Sequence, residues 1–328
     1  MADVLSASHF HDDKAAASLL ESIRWSDGRA CPHCGTLDRS YATKRTQKNS
    51  ATVYRCGGPT CRKDFTVTTK SVMEASHIDL HKWMQGFYLM ASSKKGISAH
   101  QLHRSLGITY KAAWFMAHRI REAMRAGGLD PLGSGGGTVE VDETYYGQVE
   151  QRKRRDTTTK GQPFLKPMSK RGRRGGPANK RAIVALVERG GEVRTFHVPT
   201  ADKLSVTKIV TANVAREASL YTDESRLYGD VAAHVAAHET VKHSAGEYVR
   251  YEDDRTIHTN TVENVFSVFK RGMRGVYQHC DEKHLHRYLA EFAFRYNRRT
   301  ALGVSDLERT VAAVKAAEGK RLPYRQPH

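Results

Sequence analysis

Long apolar runs are missing from this sequence. No stretch approaches the roughly 20 apolar residues that a membrane-spanning helix needs, which argues against a chain that lives in a bilayer. The opening residues, MADVLSASHFHDDKAAASLL, lack a basic start followed by an apolar core, so they do not read as a secretory signal. Cysteine is scarce, at 5 of 328 residues, and four of the five lie between positions 31 and 61. A disulfide framework is therefore not expected. An intracellular setting is, and there clustered cysteines point to metal. Acids are outnumbered: 35 Asp and Glu face 53 Lys and Arg, a net charge of +18. That surplus favours a polyanionic partner, nucleic acid before an anionic membrane surface. Hydrophobic residues make up 39%, enough at this length for two or three domains and a sizeable core.

The four grouped cysteines are Cys31 and Cys34 in CPHC and Cys56 and Cys61 in CGGPTC. Two cysteine knuckles about twenty residues apart read as a tetrahedral Zn²⁺ site, with Gly57, Gly58 and Pro59 suited to the larger second turn. His33 lies inside the first knuckle and is a competing ligand, but four thiolates are the simpler set. ATVYRC and DFTVTTK alternate like short strands, which gives a zinc ribbon within residues 1–70, too small to fold without its metal. The fifth cysteine, Cys280, stands alone beside His279 and reads as a buried thiol.

Residues 71–128 change to helical periodicity. DLHKWMQGFYLMASSKK carries a core stripe of Leu80, Trp83, Met84, Phe87 and Met90. ISAHQLHRSLGI and TYKAAWFMAHRIREAMRA follow, separated by Gly107-Ile108-Thr109, the grammar of a helix-turn-helix with Thr109 as cap. Its second helix offers Lys111, His118, Arg119 and Arg121 as DNA contacts. A plain two-helix hairpin has the same pattern. GGLDPLGSGGG, residues 127 to 137, reads by composition as a flexible linker and a domain boundary.

Beyond it the pattern is mixed α/β. TVEVDETYYG predicts a strand with Asp142 near its end, and RAIVALVERGGEVRTFHV a hairpin turning at Gly190-Gly191. LSVTKIVTANVA predicts a helix, and SLYT a short strand ending at Asp223. HTNTVENVFSVFKRG predicts a helix with Glu263 and Lys270 seven residues apart on one face, and Asn260 one turn before Glu263. Taken singly, each acid reads as a solvated surface residue. As an ordered set at strand ends they repel one another unless cations lie between, and oxygen-only ligands select Mg²⁺ or Mn²⁺. Two such ions about 3.5–4 Å apart serve phosphodiester chemistry. Residues 151–181 hold Arg152, Lys153, Arg154, Arg155, Arg171, Arg173 and Arg174 among other bases against the single acid Asp156, which reads as a phosphate-contacting loop.

VDETYYG, YTDES and HTNTVENVFSVFKRG, followed by YQHCDEKHLHRYLAEFAFRYNRR, resemble the DDE transposases of bacterial insertion sequences, specifically the ISXO-like lineage with an N-terminal zinc ribbon. The resemblance covers about Trp25 to Arg299. It implies an α/β, ribonuclease-H-like (retroviral-integrase-like) catalytic domain over residues 138–300, with 301–328 as a tail. It also implies Asp142 and Asp223 as the first two catalytic aspartates and Lys270 as the family's downstream lysine, with Arg271 beside it on the DNA. Glu263 is the third acid by its spacing to Lys270. Asn260 stays as its alternate, because some members carry Asn there. The chemistry implied is hydrolysis at each element end, then attack of the freed 3′-OH on target DNA, with no covalent protein intermediate and no ATP. Tyr145, Tyr146 and Tyr228 are not needed as nucleophiles. Partners would be the element's terminal inverted repeats and target DNA as duplexes, with a homodimer or higher oligomer at the synapse, in the nucleoid-associated cytoplasm of a bacterium. A nuclease or junction resolvase of the same fold, and a non-catalytic DNA-binding regulator, are the competing readings.

Overall fold

The computed structural model describes residues 4–127, 130–148, 156–157, 163–164, 180–252 and 255–323. The chain forms two compact units: Met1–Gly128 with Arg271–Gln278 and Ala290–His328, and Leu129–Lys270 with His279–Leu289. Among the described residues no helix is long and apolar enough to cross a membrane.

In the first unit, α1 (Asp13–Arg24) is capped by Asp12, whose carboxylate accepts the Ala15 N–H at 2.7 Å. A small antiparallel sheet follows: β1 (Ser40–Thr46), β2 (Thr52–Cys56) and β3 (Asp64–Phe65). Trp25, Tyr54 and Phe65 pack edge and face against one another at its base. Then come α2 (Leu80–Ser92), α3 (Ala99–Leu106) and α4 (Tyr110–Met124). Ser98 caps α3, Gly107 closes it in the left-handed conformation, and the Thr109 hydroxyl accepts from Ala112 to start α4. Trp83, Phe87, Met90, Leu102, Met116 and Ile120 form the core of this unit.

The second unit is built on a five-stranded sheet in the order β10-β9-β4-β7-β8. Its strands are β4 (Thr138–Tyr146), β7 (Arg181–Glu188), β8 (Val193–Val198), β9 (Ser219–Asp223) and β10 (Ala237–Val241). Two short antiparallel pairs also form: β5 (Asp156–Thr157) with β6 (Pro163–Phe164), and β11 (Arg250–Glu252) with β12 (Arg255–Ile257). Only β7 runs against the other four in the main sheet. Helix α5 (Lys203–Asn213) sets Val206 and Val210 against Val139, Val141, Val184 and Leu186, which form one apolar core. Helix α6 (Asn260–Gly272) follows β12, and α7 (Leu285–Asn297) and α8 (Asp306–Lys315) complete the chain.

Four expectations need correction. Residues 301–328 are not simply a tail: α8 has a Ser305/Glu308 capping box and buries Ala313 and Val314 in the first unit's core. The glycine-rich stretch is fitted, not loose, over its described part. Leu132 is buried and hydrogen-bonded to Asn213 and Ala215, and the Gly133 N–H donates to Glu188 at 2.8 Å. Gly133 has a φ of +75°, and a Cβ there would lie 2.6 Å from that of Ala218, so glycine is required by both backbone and space. Asp142 lies mid-strand, since β4 keeps pairing with β7 as far as Tyr146. Finally, His118, Arg119 and Arg121 are buried, so they are not a DNA-reading face. Arg119 donates to the Glu74 carbonyl at 3.1 Å and Arg121 to Glu291 at 2.6 Å. Strand β10 had no counterpart in the sequence reading, because AHETV is too polar to stand out as a strand.

Candidate active site and cysteine centre

Alternation along β4 puts Val139 and Val141 into the apolar core with α5 and turns Glu140 and Asp142 to the opposite face. On β9, Leu220 joins the same core, so Tyr221 and Asp223 share the face of Glu140 and Asp142. The two strands pair in parallel from Thr138–Ser219 to Glu140–Tyr221 and then part. Asp142 and Asp223 each lie two residues past that last pair. The gap between neighbouring strands leading away in opposite directions is where open α/β sheets place ligands.

Asp142 is half-buried and accepts the Glu143 N–H at 2.7 Å. Burial first, then the charges of Glu143, Asp223 and Glu263, push its carboxyl up to about 7. The Asp142 carboxyl therefore feels the charges of both Asp223 and Glu263. Glu143 points to the other face, where the Tyr228 hydroxyl donates to it and burial raises its own pKa. Asp223 is turned by the Ser225 N–H, which donates to Oδ1 at 3.0 Å.

Glu263 is exposed in the first turn of α6 and accepts the Thr259 hydroxyl at 3.2 Å, with His243 Nε2 at 3.6 Å. His243 belongs to a turn tied to the end of β9, because Glu224 accepts both the Ser244 N–H (2.9 Å) and its hydroxyl (2.8 Å). Asn260 is exposed, its backbone N–H donating to His258 Nδ1 at 3.3 Å. Lys270 lies two turns along the same helix, partly exposed, with Arg271 exposed next to it. Lys111 is exposed on the first turn of α4. Arg152, Lys153, Arg154, Arg155, Arg171, Arg173 and Arg174 lie outside the described residues. Sequence reasoning missed His243, Thr259, Glu140 and Arg189. Glu140 is wholly buried on β4, where it accepts from Arg189 and from the first turn of α6. In the sequence it reads only as an acid alternating with Val139 and Val141.

Asp142, Asp223 and Glu263 offer oxygen donors alone, the kind a hard divalent cation takes, but their carboxylates are not drawn together within 4.8 Å as the cysteine sulfurs are. The cysteines are a different kind of site. The Cys31, Cys34, Cys56 and Cys61 sulfurs all lie within 4.8 Å of one another, the one such group of potential ligands among the described residues. Cys31 and Cys61 are 3.9 Å apart and Cys34 and Cys56 3.6 Å. A tetrahedron with Zn–S of about 2.3 Å has edges of about 3.8 Å, so the four fit a closed zinc centre. His33 Nε2 lies 3.3 Å from the Asp64 carbonyl, and neither ring nitrogen is among the clustered ligand atoms. The Thr36 hydroxyl lies 3.2 Å from the Cys34 sulfur. A Cβ on Gly57 would meet the Arg39 carbonyl at 2.8 Å, which explains the glycine in the second knuckle. Cys280 is buried, with its thiol on the Asp281 carbonyl.

Comparison with known proteins bears on both sites. Residues 135–297 match the family model described as the ISXO2-like transposase domain, and residues 11–64 match that of a transposase zinc-ribbon domain. The chain is 28% identical over 292 residues to an uncharacterized protein in transposable element ISH50 of Halobacterium salinarum. That alignment spans 87% of this chain and 91% of the relative.

Proposed function

The chain belongs to the ISXO2-like transposase family, and from that premise we propose that its second unit cuts and joins DNA strands with divalent cations held by Asp142, Asp223 and Glu263. The observation that carries this reading is the placement of Asp142 and Asp223 on one face, each two residues past the last β4–β9 pair, where the two parallel strands part; the raised Asp142 carboxyl agrees with it. A sheet with one reversed strand and its acids on adjacent parallel strands supports a ribonuclease-H-like assignment. When bound, a pair of Mg²⁺ or Mn²⁺ ions would activate the attacking oxygen and stabilise the leaving one. The protein's own groups do the rest. Thr259 and His243 hold the Glu263 carboxylate in place, Tyr228 keeps Glu143 turned away, and Lys270 positions a phosphate from the same helix face as Glu263. Glu263 is preferred to Asn260 because its charge reaches Asp142 and because a carboxylate binds a hard cation better than a neutral amide oxygen.

The four cysteines hold one structural Zn²⁺ that folds the ribbon. Duplex DNA is the polyanion that the charge of +18 attracts. With His118, Arg119 and Arg121 buried, the helix pair α3–α4 meets DNA through the exposed first turn of α4, Tyr110 and Lys111, and through Arg104 on α3. Two element ends joined in one event call for at least two copies of the chain. A strand-transfer assay tests the proposal, using DNA from the region flanking the gene, Mg²⁺, and Asp142→Asn as the control. Joined product from the parent chain and none from the variant supports it; equal product from both rules it out.

A further inference from the structure

Glu140 has no exposed surface, yet four hydrogen bonds reach its two oxygens. Oε2 accepts the backbone N–H groups of Thr261 at 2.8 Å and Val262 at 3.0 Å. Oε1 accepts the Thr261 hydroxyl at 2.8 Å and Arg189 Nε at 2.8 Å, and His258 Nδ1 lies 3.2 Å away. Arg189 in turn donates to the carbonyls of Thr256 and His258. The chain entering α6 is thus gripped from two sides, and every lone pair of Glu140 is engaged. No capacity is left for Glu140 to bind a cation itself.

The position of this grip gives it a consequence. Glu140 is two residues before Asp142 on the same face of β4, and Val262 is the residue before Glu263. The strand that carries the first aspartate therefore also caps the helix that carries the third acid. Resting on the reading that Asp142, Asp223 and Glu263 hold divalent cations, we infer that Glu140 and Arg189 are the positioning pair that sets the spacing of Asp142 and Glu263. Mg²⁺ accepts little departure from octahedral geometry, so loosening the pair weakens cation binding without removing a ligand. Glu140→Gln keeps the volume but offers one acceptor oxygen, so its amide N–H groups must face either the α6 N–H groups or Arg189.

The test is Mn²⁺ binding to the full zinc-loaded chain without DNA, followed by electron paramagnetic resonance of the free ion, with hydrogen exchange read at Thr261 and Val262. Asp142→Asn is the reference. Glu140→Gln should weaken Mn²⁺ binding by about ten-fold or more and speed exchange in the first turn of α6, with zinc content unchanged. Thr261→Val, which removes one hydroxyl contact and keeps both backbone bonds, should weaken it by a smaller factor, and decides the matter should Glu140→Gln fail to fold. If Asp142→Asn abolishes binding while the folded Glu140 and Thr261 variants bind as the parent does, the positioning role is wrong and the metal reading stands. If Asp142→Asn leaves Mn²⁺ binding untouched, the metal reading itself falls.

Discussion

Arg121 donates from Nε to Glu291 at 2.6 Å, with 3% and 0% of the two side chains exposed. Arg295 and the Tyr277 hydroxyl donate to the other oxygen of the same carboxylate, closing a buried network in the first unit. Removing one member of such a pair strands charge away from water. Arg121→Ala should therefore cost about 3–5 kcal/mol of stability, read as a lower denaturant midpoint. An intact midpoint with a selective loss of DNA affinity would return Arg121 to the DNA surface.

The cysteine centre makes a separate claim. Protein purified without chelator should carry about one zinc per chain by elemental analysis. Cys34→Ser should lose that zinc and loosen the sheet of β1 to β3, visible as faster hydrogen exchange at Tyr54 and Phe65. Zinc-free protein with the same protection would show that the sulfurs are held by packing alone.

The Asp142 carboxyl, raised to about 7, gives a pH dependence with a definite sign. Its folded pKa lies above the unfolded value of about 3.9, so the folded state binds the extra proton between those limits. Stability contributed by this group is then lost as pH rises from about 4 to about 7, opposite to an ion-paired carboxylate. Without divalent cation, Asp142→Asn should raise the melting temperature relative to the parent by an increment that grows over this window and then levels off. An increment that shrinks with rising pH would mean that Asp142 is stabilised as an anion.

Gly133 is a test of fit. Gly133→Ala places a methyl 2.6 Å from the Ala218 Cβ at a φ of +75°, and should cost about 2 kcal/mol or more. A flexible linker would absorb the change with no shift in melting temperature.

What could be read from the sequence was local. The cysteine knuckles, the hairpin at Gly190-Gly191, and the strands bearing Asp142 and Asp223 declare themselves within a few residues, through spacing and alternation. What could not be read depends on distant partners. Arg121 looks like a basic surface residue until Glu291, 170 positions away, is brought to it. Glu140 looks like an exposed alternating acid until Thr261 and Val262 close on it from 121 and 122 positions away. Glycines at 133, 135 and 136 suggested looseness, whereas their positive φ values build a specific turn. Helical and strand periodicity carry the near contacts; burial of charge is decided by the far ones.

In the function proposed above, Asp142, Asp223 and Glu263 form one cation-dependent site for breaking and joining DNA. The most direct measurement compares Glu263→Gln with Asn260→Ala in cleavage and strand transfer on the element's own end DNA, at fixed Mg²⁺, with DNA affinity and zinc content measured alongside. Glu263→Gln should lose both reactions, by a factor comparable to Asp142→Asn, while binding DNA and zinc as the parent does. Asn260→Ala should be milder. An inactive Asn260→Ala beside an active Glu263→Gln would contradict the assignment of the third ligand, and activity in all the variants would contradict the site.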